Sequence, residues 1–205
     1  MRDTAARILE AADEVLAESG YDGASVRAVA ERAGVNKALV FYHFDNKSTL
    51  FERVLERYYE RHLETLRAAF SERGSPRERL HRMLDAYLTF MQDNARYPRL
   101  VQQILTGSGE QLDFIRSNLA PMHAWVEEAL AGLCPERGPL SARHFFVTFS
   151  SLVTGYFTYA PALSAPGAVD PCSVAALDER RAHVHWLLDR MVDGLEGEMA
   201  TRRDP

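Results

Sequence analysis

Apolar residues recur three and four positions apart along almost the whole chain, a spacing that suits helices and little else. Ala5, Ile8, Ala12, Val15 and Leu16 share one face of a first helix, which Gly20 should stop by turning left-handed. Ser25 is a good N-cap for a short second helix with Val26, Val29 and Ala30 inward, and Gly34 ends it. A third short helix is predicted from near Asn36 to about His43. Asp45 or Asn46 then caps a long fourth helix carrying Phe51, Leu55, Tyr58, His62 and Leu66 on one stripe. No alternating apolar–polar run of useful length is flanked by a hairpin turn. The predicted fold class is all-α.

Further along, Gly74-Ser75-Pro76 breaks the pattern, and Pro76 suits the first turn of a helix bearing Leu80, Leu84, Tyr87, Leu88 and Met91. Pro98 should open a short helix through Leu105, ahead of a Gly107-Ser108-Gly109 loop. Phe114 to Leu130 is helical again, with Pro121 expected to kink or split it. Ser141 is placed to cap a helix ending near Pro161. A loop and a last helix from about Ser173 to Glu196 complete the chain.

Hydrophobic residues make up 46% and charged residues 26%, so wholesale disorder is excluded. The net charge of -5 means that any DNA contact must come from a local patch. Two cysteines, Cys134 and Cys172, exclude a disulfide-dense scaffold and a four-cysteine zinc site, and both read as small buried hydrophobes. Acidic residues interrupt the apolar pattern of the first helix, so no secretory signal is read and a cytoplasmic location is expected. Phe145 to Val169 contains no charge, but its serines, threonines and prolines favour a buried helix over a membrane span.

The informative block is SVRAVAERAGVNKALVFYHF, residues 25–44: two short helices joined by a tight turn containing glycine. That is the helix-turn-helix plan, whose second helix enters a DNA major groove. Ala30 and Ala33 let the helices cross closely, and Val35 and Val40 fill the space between them. Lys37, Ala38, Leu39 and Phe41 are left pointing outward, where thymine methyls and base edges would suit them. Arg27, Arg32, Lys37 and Lys47 against Glu31 and Asp45 give residues 24–50 a local charge of +2.

The order of pieces resembles the TetR family of transcriptional regulators. The resembling residues are Arg7-Ile8-Leu9-Glu10-Ala11-Ala12, Gly20-Tyr21-Asp22-Gly23, Ser25-Val26-Arg27, Ala30-Glu31-Arg32-Ala33-Gly34-Val35, and Phe41-Tyr42-His43-Phe44 followed by Lys47. The resemblance implies an N-terminal three-helix DNA-binding domain over residues 1–47 and a C-terminal helical ligand-binding and dimerisation domain over 48–205. It implies base and sugar contacts from Lys37, Ala38, Leu39 and Phe41, and a guanine contact from Arg27. Ser25, Tyr42, His43 and Lys47 would grip phosphate, Lys47 together with the N–H groups that open the fourth helix. Phe41 stands where tyrosine is common and Ala38 where glycine or proline is common, so readout would lean on apolar contact.

The last helix carries Val174, Leu177, Arg181, Val184, Leu188, Met191 and Leu195 at heptad spacing, with Arg181 the polar exception. The uncharged helix before it offers Phe145, Phe149, Leu152, Tyr156 and Phe157. These two helices can bury each other or the same pair in a second copy. The family resemblance favours a homodimer through Phe149, Leu152, Tyr156, Val184, Leu188 and Met191, with two recognition helices reading a near-palindromic operator. It also implies a small-molecule effector, apolar or aromatic. Residues expected to line its pocket are His62, Tyr87, Phe90, Met91, Gln102, Gln103, Phe114, Met122, His123 and Trp125.

Catalytic and metal motifs are absent: there is no G-x-S-x-G and no H-E-x-x-H. His183 and His185 face different ways on a helix. His81 and Asp85 share a face but read as a solvated pair. No catalytic residue, metal or cofactor is expected, and no membrane partner. The sequence reads as a ligand-responsive regulator, most simply a repressor. The alternative is an all-helical small-molecule-binding or enzymatic protein whose N-terminal helices are structural.

Overall fold

The computed structural model describes residues 2–95, 97, 98, 101, 110–163, 167 and 170–203. Among the described residues there are eight helices: α1 Arg2–Gly23, α2 Val26–Ala33, α3 Lys37–Phe44, α4 Lys47–Ser71, α5 Pro76–Asp93, α6 Glu110–Ala129, α7 Ala142–Leu163 and α8 Val174–Arg203. The expected helix from Pro98 to Leu105 and the glycine loop after it lie largely outside the described residues. The described residues of 1–61 and 100–118 form one compact unit, and those of 62–99 and 119–205 form the other. The division falls within α4, downstream of the expected boundary at residue 47.

Local chemistry sets the boundaries in the first unit. Gly20 sits at φ 66 and ψ 177, so regular helix stops there and a short last turn of α1 follows. The Ser25 hydroxyl accepts from the Ala28 N–H at 3.1 Å, satisfying one of the free donors at the start of α2. At the other end Gly34 takes φ 64. Its N–H donates to Glu31 at 3.3 Å and the Val35 N–H to Ala30 at 3.0 Å, a Schellman closure. The Asn36 carboxamide accepts from Leu39 N–H at 2.8 Å and starts α3. Asn46 caps α4 through Thr49 N–H at 2.9 Å. Asp45 between them carries φ 52 and ψ -55, outside the left-handed helical region and near the strained γ-turn, which the Asn46 N–H closes by donating to the Phe44 carbonyl. Ile8, Ala12, Val29, Val40, Leu50 and Phe51 are buried at its core. Burying a valine such as Val29 or Val40 contributes about 1.5–3 kcal/mol.

In the second unit, α5 opens with a full capping box: Ser75 accepts from Glu78 N–H, and the Glu78 carboxylate accepts from Ser75 N–H at 2.7 Å. Helix α5 packs against both α7 and α8. Leu80, Leu84, Leu88 and Met91 bury one face of α5, and Phe145, Phe149, Val153 and Phe157 bury one face of α7. Of the two outcomes expected at Pro121, a kink or a split, the split does not occur: α6 runs through it. Pro121 and Ser117, whose carbonyl loses its helical donor, are both exposed, so water can complete that carbonyl. Cys134 is half-buried and burial pushes its thiol up, whereas Cys172 is exposed and is not the core residue expected. Among the described residues no helix is long and apolar enough to cross a membrane.

Candidate nucleic-acid interface

The caps on α2 and α3 fix a turn that leaves one side of α3 inward and the other bare. Val40 and Phe44 are buried four residues apart, as one helical face requires. Lys37, Ala38, Phe41 and Tyr42 are exposed, Tyr42 to 71%. Leu39 is half-buried, so it points outward less than the sequence suggested. Among the described residues of the first unit the exposed large apolar side chains are Phe41 and Tyr42, neighbours on this helix. The Lys37 ammonium lies 5.4 Å from the Phe41 ring centroid, which holds a cation beside an aromatic face. The Tyr42 ring meets His43 edge-on at 5.2 Å.

The remaining cations have unequal roles. Lys47 sits 5.1 Å over Tyr21 and 5.8 Å over Phe51, anchoring the start of α4 to the end of α1. Arg27 is exposed but bonded to Glu31 at 2.8 Å, so a base contact from Arg27 would first break that pair. Arg32 does not contribute to an open basic patch. Its two terminal nitrogens hold Glu18 at 2.7 and 2.8 Å, tying α2 to α1. Sequence counting credited Arg32 to the DNA-facing charge because the ion pair spans fourteen residues. Arg7, singled out only as part of a string, donates to the Ala33 carbonyl at 2.6 Å and neutralises the C-terminal end of α2. Ser25 remains exposed at the start of α2 while its hydroxyl caps the helix.

Residues 8–54 match the model for bacterial regulatory proteins of the tetR family. Over that stretch the chain is similar to the tetR family. A curated relative, the HTH-type transcriptional activator FasR of Mycolicibacterium smegmatis, is 32% identical over 95 residues, covering 46% of this chain and 43% of FasR. The chain spans less than half the length of that relative. Two solved structures share the fold. The fatty acid degradation regulator FadR of Bacillus halodurans superposes with TM-score 0.71 at 22% identity, covering 90% of this chain and 94% of FadR. FadR of Bacillus subtilis in complex with stearoyl-CoA gives TM-score 0.70 at 18% identity, covering 92% and 97%. The matched proteins are transcriptional regulators rather than enzymes.

The effector residues expected from the tetR resemblance are only partly brought together. A cavity of about 30 Å³ in the second unit is lined by Leu66, Leu80, Met83, Leu84, Met122, Phe149 and neighbours; Tyr87 and Ser150 line it too, but its surface is apolar. Of the ten expected residues, Tyr87 and Met122 line it. Burial pushes the Tyr87 hydroxyl up to about 12, with Ser150 bonded to it. His62, Phe90 and Met91 are buried and do not line it, although the His62 ring meets that of Tyr87 at 4.6 Å. His62 stacks on Phe90 at 4.7 Å with the rings 7° from parallel, and burial holds its imidazole down at about 3, so it is neutral. Trp125 packs edge-on against Phe70 at 5.9 Å, and His123 against Phe146 at 5.3 Å. Phe114 belongs to the first unit, and Gln102 and Gln103 lie outside the described residues.

The heptad seam also has a different use. Val184 and Leu188 are 0% and 1% exposed, and Phe149 is 7% exposed, within a single protomer. They face the protomer's own core, because α8 packs on α5. Leu152, Tyr156 and Met191 are half-buried, and the Tyr156 hydroxyl donates to the Pro171 carbonyl at 2.6 Å. Among the described residues, the large apolar side chains that α7 and α8 leave outward are Val147, Tyr159, Val174 and Trp186.

Proposed function

We propose that this chain is a tetR-family homodimeric transcriptional repressor that binds a near-palindromic operator and is released by an apolar small molecule. The observation that carries the DNA-binding reading is the bare face of α3, where Lys37, Ala38, Phe41 and Tyr42 stand exposed on a helix locked by caps at both neighbouring turns. Exposed aromatics beside a lysine suit stacking on sugars, contact with thymine methyls and a phosphate or base edge. From the family resemblance, Ser25, Tyr42, His43 and Lys47 are assigned to phosphate. Arg27 is assigned to a base once Glu31 lets go.

Support for the dimer comes from the outward faces of α7 and α8. On α7 the sequence Val147, Ser151, Gly155 and Tyr159 runs down one side at four-residue spacing, small enough for a second helix to approach closely. Val174 and Trp186 add apolar area on α8. The interface is therefore reassigned from the buried Val184, Leu188 and Phe149 to these exposed residues. Tyr159→Glu should convert a dimer into a monomer in sedimentation, and an unchanged dimer would refute that assignment. Support for the effector comes from the apolar lining of the second-unit cavity and from the stearoyl-CoA complex of the Bacillus subtilis fold relative. A pocket for a drug-sized ligand holds roughly 300–1,000 Å³, so an acyl chain would have to part Leu84, Met122 and Phe149 to enter.

The test is fluorescence anisotropy with fragments of the native chromosome at several salt concentrations. Selective binding that weakens steeply as salt rises is expected. Lys47→Ala should weaken all sequences alike, while Lys37→Ala should shift sequence preference. Equal binding of every fragment, or operator affinity indifferent to both changes, would overturn the reading. Because FasR is named an activator, the sign of regulation is tested by deleting the gene: repression predicts a rise in its target transcript.

A further inference from the structure

We propose that His81 and His185 share a single proton between their Nδ1 atoms, and that this proton is a pH-sensitive clasp joining α5 to α8 within the second unit. The geometry is a four-group chain. His81 Nε2 lies 2.9 Å from Asp189 and His185 Nε2 lies 2.8 Å from Asp85. Between them Nδ1 of one ring faces Nδ1 of the other in a short contact. The ring planes are within 4° of parallel and their centroids 4.7 Å apart.

Counting donors decides what this arrangement needs. An ionised carboxylate only accepts, so each Nε2 must carry a hydrogen. Burial pushes the Asp85 carboxyl up, but hydrogen bonds from His185 and Arg181 outweigh it and hold Asp85 below the usual carboxylate range. The His81 hydrogen bond, with Arg77, holds Asp189 low as well. With both imidazoles neutral, the two Nδ1 lone pairs would then point at each other. With both rings protonated, two N–H groups would collide. One extra proton gives one N–H···N hydrogen bond and satisfies all four ring nitrogens.

The surrounding charges are consistent with a resident cation. From α5, Arg77 and Asp85 face the pair; from α8, Arg181, Asp189, Asp193 and Glu196 do. Thr89 accepts from Arg181 at the far end. Helix α7 also packs on α5, but among the described residues none of its charged side chains is ion-paired or hydrogen-bonded to this group. With the shared proton, three positive charges meet four negative ones. The contact arises because His-x-x-x-Asp occurs on both antiparallel helices, at 81/85 and 185/189, so each histidine meets the other helix's aspartate.

The clasp should hold in a middle pH range and open on both sides. An ordinary exposed His–Asp pair would instead strengthen steadily as pH falls. The test uses the full chain. Urea unfolding of wild type and of His81→Gln, from about pH 5 to about pH 9, gives a difference curve in which the contribution of His62 cancels. A maximum inside that range, about tenfold in the unfolding equilibrium constant, is expected. A flat difference, or one rising monotonically toward acid, overturns the proposal. Nitrogen-15 histidine spectra of the unmodified protein give an answer even if the variant fails to fold. At the maximum they should report three protonated ring nitrogens between His81 and His185. Two or four would refute the shared proton.

Discussion

The two units differ in the reach of their ties. In the first, Ser25, Gly34, Asn36 and Asn46 fix helix ends within a few residues, and the side-chain hydrogen bond from Arg7 to Ala33 spans 26 positions. The second is held by partners about a hundred residues apart, such as Arg77 with Asp189 and Arg181 with Asp85. A locally encoded unit can keep one surface shape while the rest of the chain diverges. A unit held by remote pairs can be retuned by changing either partner.

Core truncation tests whether the units depend on each other. Phe51→Ala should cost about 3–5 kcal/mol and Leu188→Ala about 2–5 kcal/mol, read by urea unfolding. If either change produces two separated transitions, the units unfold independently. A single shifted transition would mean that α4 couples them.

Acid should act mainly on the second unit. The His62 imidazole titrates at about 3 in the fold and near 6.5 when unfolded. Below 6.5 the unfolded chain therefore takes up a proton that the folded one refuses, and stability falls as pH drops toward 3. Between about pH 7 and pH 5 the loss should be about 2 kcal/mol. His62→Phe should remove this slope while preserving the stack on Phe90, and an unchanged slope would refute the assignment.

Smaller effects probe the first unit. Gly34→Ala places a side chain at φ 64 and should cost about 1–2 kcal/mol. It should also weaken operator binding in anisotropy, since α3 would be misaimed. Ser25→Ala should cost about 1 kcal/mol of thermal stability. Glu31→Gln should leave the melting temperature unchanged yet tighten DNA binding, because Arg27 would no longer be held. If it weakens binding, the pair is part of the docking surface and not a restraint on it.

This contrast also explains what could be read in advance. Caps, the glycine turn and the buried faces of α1 to α4 were legible because their determinants lie within one helical turn. Val184 and Leu188 were recognisable as a seam, but heptad spacing does not say whether the seam meets α5 or a second copy. The doubled His-x-x-x-Asp spacing was visible in the chain. Its pairing was not, because it depends on two helices running antiparallel at a particular register. The pocket residues were the least legible: choosing aromatic and polar side chains found Tyr87 and Met122, but it could not tell cavity lining from the ordinary core around His62 and Trp125.

Both tryptophans, Trp125 against Phe70 and the outward Trp186, belong to the second unit, whereas Tyr21 and Tyr42 belong to the first. Red-edge excitation, which passes over tyrosine, will thus watch one half of the molecule alone. No labelling is needed to ask whether an acyl compound or an oligonucleotide is felt there: if a second copy covers Trp186, the summed emission of the two indoles should shift with protein concentration.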